Sequence, residues 1–232
     1  MEVIVLAGGL GTRLQGVIGA SPKCMAPVNG QPFLAYLLDY VDKQGATRVI
    51  LSLGYKHKMV IDWLEDQELY FELDYVVEDE PLGTGGGILA AMEQAETDYV
   101  AVVNGDTMFR VNLKEQMKFH IASESATTLA LKEMHKFDRY GIVETDNKGI
   151  IKAFKEKQAV ESGLINGGVY IIDRERFLAR NLPDKFSFEK DYLEKFVGEK
   201  KFYGYKNDGY FIDIGIPDDY AKAQEDFKSF KL

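Results

Sequence analysis

Short apolar runs that end in glycine alternate with longer segments of helical spacing through the first half of the chain, and few folds accommodate that alternation. EVIVLA at residues 2–7 is a strand with no polar face, as expected when both sides of a sheet are covered. PFLAYLLDYVDKQG then sets Phe33, Leu34, Leu37, Leu38 and Val41 on one helical face and stops at Gly45. RVILSL reads as a second buried strand, residues 56–66 as a helix and FELDYVV as a third strand. A further helix is expected after Gly87, and YVAVVN is a strand that runs into Gly105 and Asp106. Strand and helix at this spacing build a parallel sheet with right-handed crossovers.

The pattern changes near residue 125, where TTLALKE, YGIVETD, GIIKAFKE and GGVYIID are strand-like and separated by short loops. These are expected to add mixed strands to the same sheet. SFEKDYLEKFV and PDDYAKAQEDFKSF read as helices, the second opening on proline with acids in its first turn. No linker, repeat or low-complexity segment interrupts the chain, so residues 1–232 are expected to form one domain, with halves of about 1–110 and 111–232.

Function enters with LAGGLGTRL, directly after the first strand. Gly8, Gly9 and Gly11 remove side chains so that backbone N–H groups can close on a ligand, and Arg13 among them points to an anion. The stretch lacks the third glycine of a dinucleotide fingerprint, and Gly16, Gly19 and Pro22 are expected to keep the following segment from forming the helix that fingerprint needs. Neither is it a GxxxxGK[ST] loop. What fits is a backbone cradle for a nucleoside triphosphate, with Arg13 and Lys23 supplying the two cations. A turn without a ligand, with both cations in surface ion pairs, is the plain alternative.

Composition narrows the rest. A formal charge of −9 argues against a nucleic-acid partner, and no apolar run approaches the length of a membrane span. The single cysteine, Cys24, excludes a disulfide framework, and the three histidines lack metal-ligand spacing, so a cytoplasmic location is expected. Cys24 beside Lys23 is either a reactive thiol or, as we expect, a small packing residue. Tyr203, Tyr205 and Tyr210 suit the core or a homodimer contact, with the core expected.

Two aspartates stand out. Asp106 ends the buried strand VVNGDT, where open α/β sheets place ligands, and Asp213 lies in the apolar stretch YFIDIG, where an unpaired charge is costly. A divalent ion between them satisfies both; a turn role for Asp106 and an ion pair for Asp213 remain open alternatives.

LAGGLGTRL followed by SPKCMAPV, with EPLGTGGG, VNGDT, RYGIVE, FKEK, INGGVY and FIDIGIPDDY in this order, resembles the sugar-1-phosphate nucleotidylyltransferases over nearly the whole chain. The joint presence of PKCMAPV, PLGTGG, RYG, INGGVY and FIDIGIPxDY is most similar to members that act on GTP and D-glycero-α-D-manno-heptose 1-phosphate for surface glycan synthesis. Mannose 1-phosphate with GTP, N-acetylmuramate 1-phosphate with UTP, and a catalytically silent binding module remain alternatives. The resemblance implies a Rossmann-like, mixed but mainly parallel sheet flanked by helices, and the chain shows no hexapeptide repeats of a left-handed β-helix domain.

It also implies roles by position. Leu6, Ala7, Gly8, Gly9, Gly11, Thr12, Arg13, Glu78, Pro81, Leu82, Gly83 and Thr84 would hold the nucleotide, with GTGGG passing beneath base and ribose before its helix begins. Of these, Glu78 rests on residue type and not on the resemblance: it is read as an acceptor from guanine, with a solvated acidic turn of Glu78, Asp79 and Glu80 as the alternative. Asn104, Gly141, Glu156, Lys157, Asn166 and Gly168 would hold the sugar phosphate. Arg13, Lys23, Lys157 and Asp106 would be catalytic, and Asp106 and Asp213 would hold Mg²⁺.

Overall fold

The computed structural model describes residues 1–9 and 11–230; Leu10, Lys231, Leu232 and the side chains of Thr12 and Gln15 lie outside the description. In chain order the elements are strand β1 (Glu2–Leu6), the single turn α1 (Gln15–Ile18), a small hairpin of β2 (Pro27–Val28) and β3 (Gln31–Pro32), helix α2 (Phe33–Lys43), β4 (Arg48–Leu53), α3 (His57–Glu65), β5 (Glu72–Val77), α4 (Gly83–Gln94), β6 (Tyr99–Asn104) and β7 (Thr107–Phe109). There follow α5 (Leu113–Ala122), β8 (Thr127–Phe137), β9 (Ile142–Thr145), β10 (Ile151–Lys155), β11 (Val160–Asp173), α6 (Arg174–Leu178), a π-helical turn at Phe188–Glu194, β12 (Phe202–Lys206), β13 (Phe211–Asp213) and α7 (Pro217–Asp226).

One nine-stranded sheet runs β10-β9-β11-β6-β1-β4-β5, with β8 pairing β11 and β12 off that path. Pairing is parallel from β5 through β4 and β1 to β6, and also between β8 and β12; β11 is antiparallel to β6, β8 and β9. This is the expected mixed α/β sheet. Alternate residues of β1 enter opposite cores: Val3 and Val5 pack with α2 on one side, Ile4 with Ile88 and Met92 of α4 on the other. Two-sided burial explains why β1 carries no polar alternation.

The long strand β11 ties the two halves. Its last residues, Val169–Asp173, pair with β6, while β8 pairs along its other edge from Val160 to Ile172. Between Asn166 and Tyr170 the register with β8 shifts, and Gly168 adopts φ +72°. A side chain at Gly168 would stand 2.6 Å from Nδ2 of Asn104, so glycine lets the bulge lie against the end of β6.

Two expectations need correction. The segment after the glycine loop is not free of helix: residues Thr12–Leu14 form a 3-10 turn and Gln15–Ile18 one α-turn, ended at Gly19 with φ +65°. The GTGGG stretch does not precede its helix but forms the first turn of it, since α4 begins at Gly83. The reason is packing from far along the chain. Cβ atoms added at Gly85 and Gly86 would meet the Phe186 ring at 2.2 Å and the Asp184 carbonyl at 2.1 Å. These glycines are small because residues 184–188 lie on them.

Candidate active site

The end of β6, the bulge within β11 and the end of β13 border a cavity of about 420 Å³. Of the residues singled out from sequence, Arg13, Lys23, Asn104, Asp106, Gly141, Lys157, Asn166, Gly168 and Asp213 line it. Arg13 is carried on the 3-10 turn anchored by fully buried Leu14, and Lys23 on the turn Lys23–Met25 anchored by buried Cys24 and Met25. Gly11, with φ +62°, allows the first loop to pass directly over Lys23, whose Cβ would be 3.2 Å from any side chain there.

Lys23 joins the two aspartates. Its Nζ donates to Asp106 Oδ2 in a short ion pair and to Asp213 Oδ1 at 3.2 Å. Burial alone would lower the ammonium's pKa, but the two carboxylates raise it above the ordinary lysine value. Asp213 is raised, first by burial and then by Asp106, with Lys23 and the Gly215 N–H opposing. The ion-pair alternative for Asp213 is therefore realised, and charge compensation alone does not require a metal.

The same geometry fits one. Carboxylate oxygens from two strand ends converge on a single cation, and hard oxygen ligands suit a hard divalent ion. Among the described residues no group of three or more metal-binding side chains occurs. Any such ion would take its remaining ligands from substrate phosphate and water, as magnesium sites do.

Arg13 and Lys157 have no ion-pair or hydrogen-bond partner among the described residues, so two cations face the cavity uncompensated. β10 stops at Lys155, and the expected break in the FKEK strand frees Glu156 and Lys157 from alternation. Only Lys157 reaches the main cavity. Glu156 lines an adjoining one of about 330 Å³. Asn166 is anchored within the protein, donating to Tyr170 Oη at 2.9 Å and accepting the Gly168 N–H at 3.1 Å.

The predicted nucleotide residues stand outside the main cavity, Arg13 apart. Leu6, Ala7, Gly8, Gly9 and Gly11 form the loop leaving β1, steadied by Ala7 N–H on the Ser52 carbonyl at 2.8 Å. The Thr12 side chain lies outside the described residues. Glu78 accepts from Leu82 N–H at 3.0 Å and Ser52 Oγ at 3.1 Å, so it staples the turn bearing Pro81 and Leu82 to the end of β4. Its carboxylate also lies where side chains at Gly8 and Gly87 would fall, at 3.0 and 2.9 Å. The Thr84 hydroxyl is engaged within the protein: it accepts the Phe188 N–H at 3.0 Å and donates to Glu189 at 2.8 Å.

Three charged or aromatic residues stand out among those of the cavity that sequence reasoning missed. Arg139 and Tyr140 directly precede Gly141, and Glu189 sits on the π-helical turn. Arg139 donates to Asp219 at 2.7 Å, holding the loop before β9 against α7. The Tyr140 hydroxyl is pushed up to about 12, by burial first and then by Asp213. The RYG motif contained two of the three, but only its glycine was read. Cys24 proves a packing residue: it is 2% exposed, its Sγ lies 3.7 Å from the Ala7 carbonyl, and burial pushes the thiol up to about 12. Tyr203 and Tyr205 pack against Phe119, and Tyr210 packs against Phe227 and Phe230; all three are half-buried, and only Tyr205 and Tyr210 pack against the core.

Comparison with known proteins agrees with this arrangement. The family model described as nucleotidyl transferase matches residues 2–229. The chain is 48% identical over 230 residues to the D-glycero-alpha-D-manno-heptose 1-phosphate guanylyltransferase of Aneurinibacillus thermoaerophilus, covering 99% of this chain and 100% of that protein. It is 42% identical over 220 residues to the protein of the same description from Campylobacter jejuni, covering 95% and 97%. A crystal structure of HddC from Yersinia pseudotuberculosis complexed with GMP-PN superposes with a TM-score of 0.86 at 39% identity, covering 97% of this chain and 99% of that one. No helix among the described residues is long and apolar enough to cross a membrane.

Proposed function

The chain belongs to the nucleotidyl transferase family, and from that premise we propose that it transfers a guanylyl group from GTP to D-glycero-α-D-manno-heptose 1-phosphate, forming GDP-heptose and pyrophosphate. The observation that carries the chemistry is the meeting, in one cavity, of two uncompensated cations, Arg13 and Lys157, with the Lys23–Asp106–Asp213 cluster. The nucleotide and sugar are taken from the relatives that match end to end.

An oxygen of the sugar 1-phosphate attacks the α-phosphorus of GTP. The new P–O bond forms as the bond to the β-phosphate bridging oxygen breaks, and that electron pair leaves with pyrophosphate. The nucleophile is already ionised, so no side chain has to remove a proton. Catalysis is positioning and charge neutralisation. Arg13 grips the triphosphate, Lys157 holds the sugar phosphate beside it, and Lys23 places its ammonium where negative charge accumulates. Nucleotidyl transferases generally use a divalent metal; we assign Mg²⁺ to Asp106 and Asp213, where it would polarise the α-phosphate. The loop Leu6–Gly11 and the turn held by Glu78 would carry ribose and base, and the β11 bulge with Asn104, Gly141 and Asn166 the sugar. We read the chain as one cytoplasmic domain; a homodimer remains open to a mass measurement.

The test is pyrophosphate release with Mg²⁺ across four nucleoside triphosphates and a panel of hexose and heptose 1-phosphates. Signal with GTP and the heptose 1-phosphate is expected. Signal confined to another pair overturns the substrate and leaves the mechanism, and silence across the grid overturns both.

A further inference from the structure

A second cavity, of about 330 Å³, adjoins the first and shares with it Tyr140, Gly141, Lys157, Asn166 and Glu189. The border between them is thin because Gly141 has no side chain: a Cβ there would stand 2.8 Å from the Lys155 carbonyl. Beyond the border one wall is apolar, built from Ile142, Val143, Phe154 and Leu193. Its rim is polar, with Glu156, Lys190 and Glu194.

The rim groups are notable for what they do not touch. Lys155, next to them, is paired to Glu144. The side chains of Glu156, Lys190 and Glu194 make no ion pair or hydrogen bond among the described residues. Lys190 and Glu194 lie about one turn apart on the Phe188–Glu194 segment, which is fixed by Ser187 capping the Lys190 N–H at 3.2 Å and by the Thr84 contact to Phe188. An ammonium donor and carboxylate acceptors therefore stand together, unpaired, above an apolar floor.

We propose that this second cavity is the subsite for the sugar's exocyclic side chain, and that Lys190 and Glu194 are specificity-determining residues that read its hydroxyls. The inference rests on the sugar 1-phosphate reading of the main cavity. With the phosphate held at Lys157 on the border, the ring must extend away from the triphosphate, and the adjoining cavity is open to it there. A hexose offers that space one CH₂OH group. A heptose offers a two-carbon diol whose C–H faces suit the wall of Val143 and Leu193 while its hydroxyls meet Lys190 and Glu194. Lys190 and Glu194 are exposed, so with the shorter sugar they return to water, and discrimination is worth about one net hydrogen bond, roughly 1 kcal/mol or fivefold.

The experiment measures kcat/KM for D-glycero-α-D-manno-heptose 1-phosphate and for mannose 1-phosphate, with GTP and Mg²⁺, in the wild-type protein and in Lys190→Ala, Glu194→Gln and Glu194→Trp. The wild type is expected to favour the heptose. The heptose-to-mannose ratio is expected to fall about fivefold in each variant, the tryptophan acting by occlusion. Circular dichroism and thermal unfolding identify any variant that fails to fold, and Glu194→Gln, which keeps the side-chain volume, then decides the matter. Equal use of both sugars by the wild type, or ratios unchanged in folded variants, overturns this assignment and leaves the guanylyl transfer standing. Absence of turnover with the heptose 1-phosphate overturns the function itself, and the subsite with it.

Discussion

Replacing Gly86 by alanine separates two explanations of the GTGGG stretch. If these glycines serve only a nucleotide, an alanine in the first turn of α4 should stabilise the free protein, because alanine is favoured over glycine in helices by about 1 kcal/mol. The structure predicts the opposite sign. The new Cβ would lie 2.1 Å from the Asp184 carbonyl oxygen and 2.7 Å from the Leu82 Cβ, whereas ordinary contact begins near 3.4 Å. The Asp184 backbone must therefore retreat by more than an ångström. Doing so strains the Gly85 N–H bond to the Phe186 carbonyl and the Phe186 N–H bond to the Leu82 carbonyl, both 3.0 Å. Overpacking costs about 1–3 kcal/mol and each lost hydrogen bond about 1 kcal/mol. Set against the helix preference, the net loss is about 2–4 kcal/mol, a fall of roughly 4–16 °C in Tm for a domain of this size. Gly9→Ala is the control, since nothing lies within 4 Å of a Cβ there, and its Tm should match the wild type. Thermal unfolding of both without ligand is the assay. A Gly86→Ala protein as stable as the wild type, or more so, refutes the packing argument and returns the glycines to the nucleotide.

Two other perturbations follow from the same structure. Lys23→Ala should lower turnover by about 10²-fold to 10³-fold, by analogy with removing one preorganised donor, while circular dichroism shows a folded protein; a rate near wild type would remove Lys23 from the mechanism. His120 is fully buried, and burial, reinforced by Arg176, lowers its pKa to about 4 from 6.5. A depressed histidine pKa means that the unfolded chain takes up the proton first, so its contribution to stability is present above pH 6.5 and is lost as pH falls toward 4. Between pH 7.5 and pH 5 it removes about 2 kcal/mol, and urea unfolding of His120→Gln should lose that much less over the same interval; identical slopes in both proteins would contradict the assignment.

The parts of the fold that were legible in sequence are those whose burial is local. β1, β4 and β6 declare themselves because a strand covered on both faces is apolar throughout, and α2 because one face carries all its large residues. Helix α4 was misplaced by five residues for a physical reason. Four glycines in five residues have poor helix propensity, and what fixes them is the 184–188 segment about a hundred positions later, which a local pattern does not contain. Helix α5 was passed over despite a readable signal: Asn112 caps it by accepting the Glu115 N–H at 3.1 Å, an acid in the first turn follows, and only the weak one-sidedness of its apolar residues hid it.

The site divides along the same line. The residues assigned to the reaction, Arg13, Lys23, Asp106 and Asp213, stood out because each is costly or unexplained where it sits, and the cavity brings together positions as distant as Lys23 and Asp213, 190 apart. Arg139 and Glu189 did not stand out, because each has an ordinary partner nearby in space, Asp219 for one and Thr84 for the other. Yet those contacts join segments that are 80 and 105 positions apart in the chain. Thr84 ties the start of α4 to the segment that borders both cavities, and Arg139 ties the loop before β9 to α7, which follows closely on Asp213 and Gly215. Two substrates that must meet at one phosphorus need walls held in fixed relation. The polar contacts least visible in the sequence are the ones that hold them so.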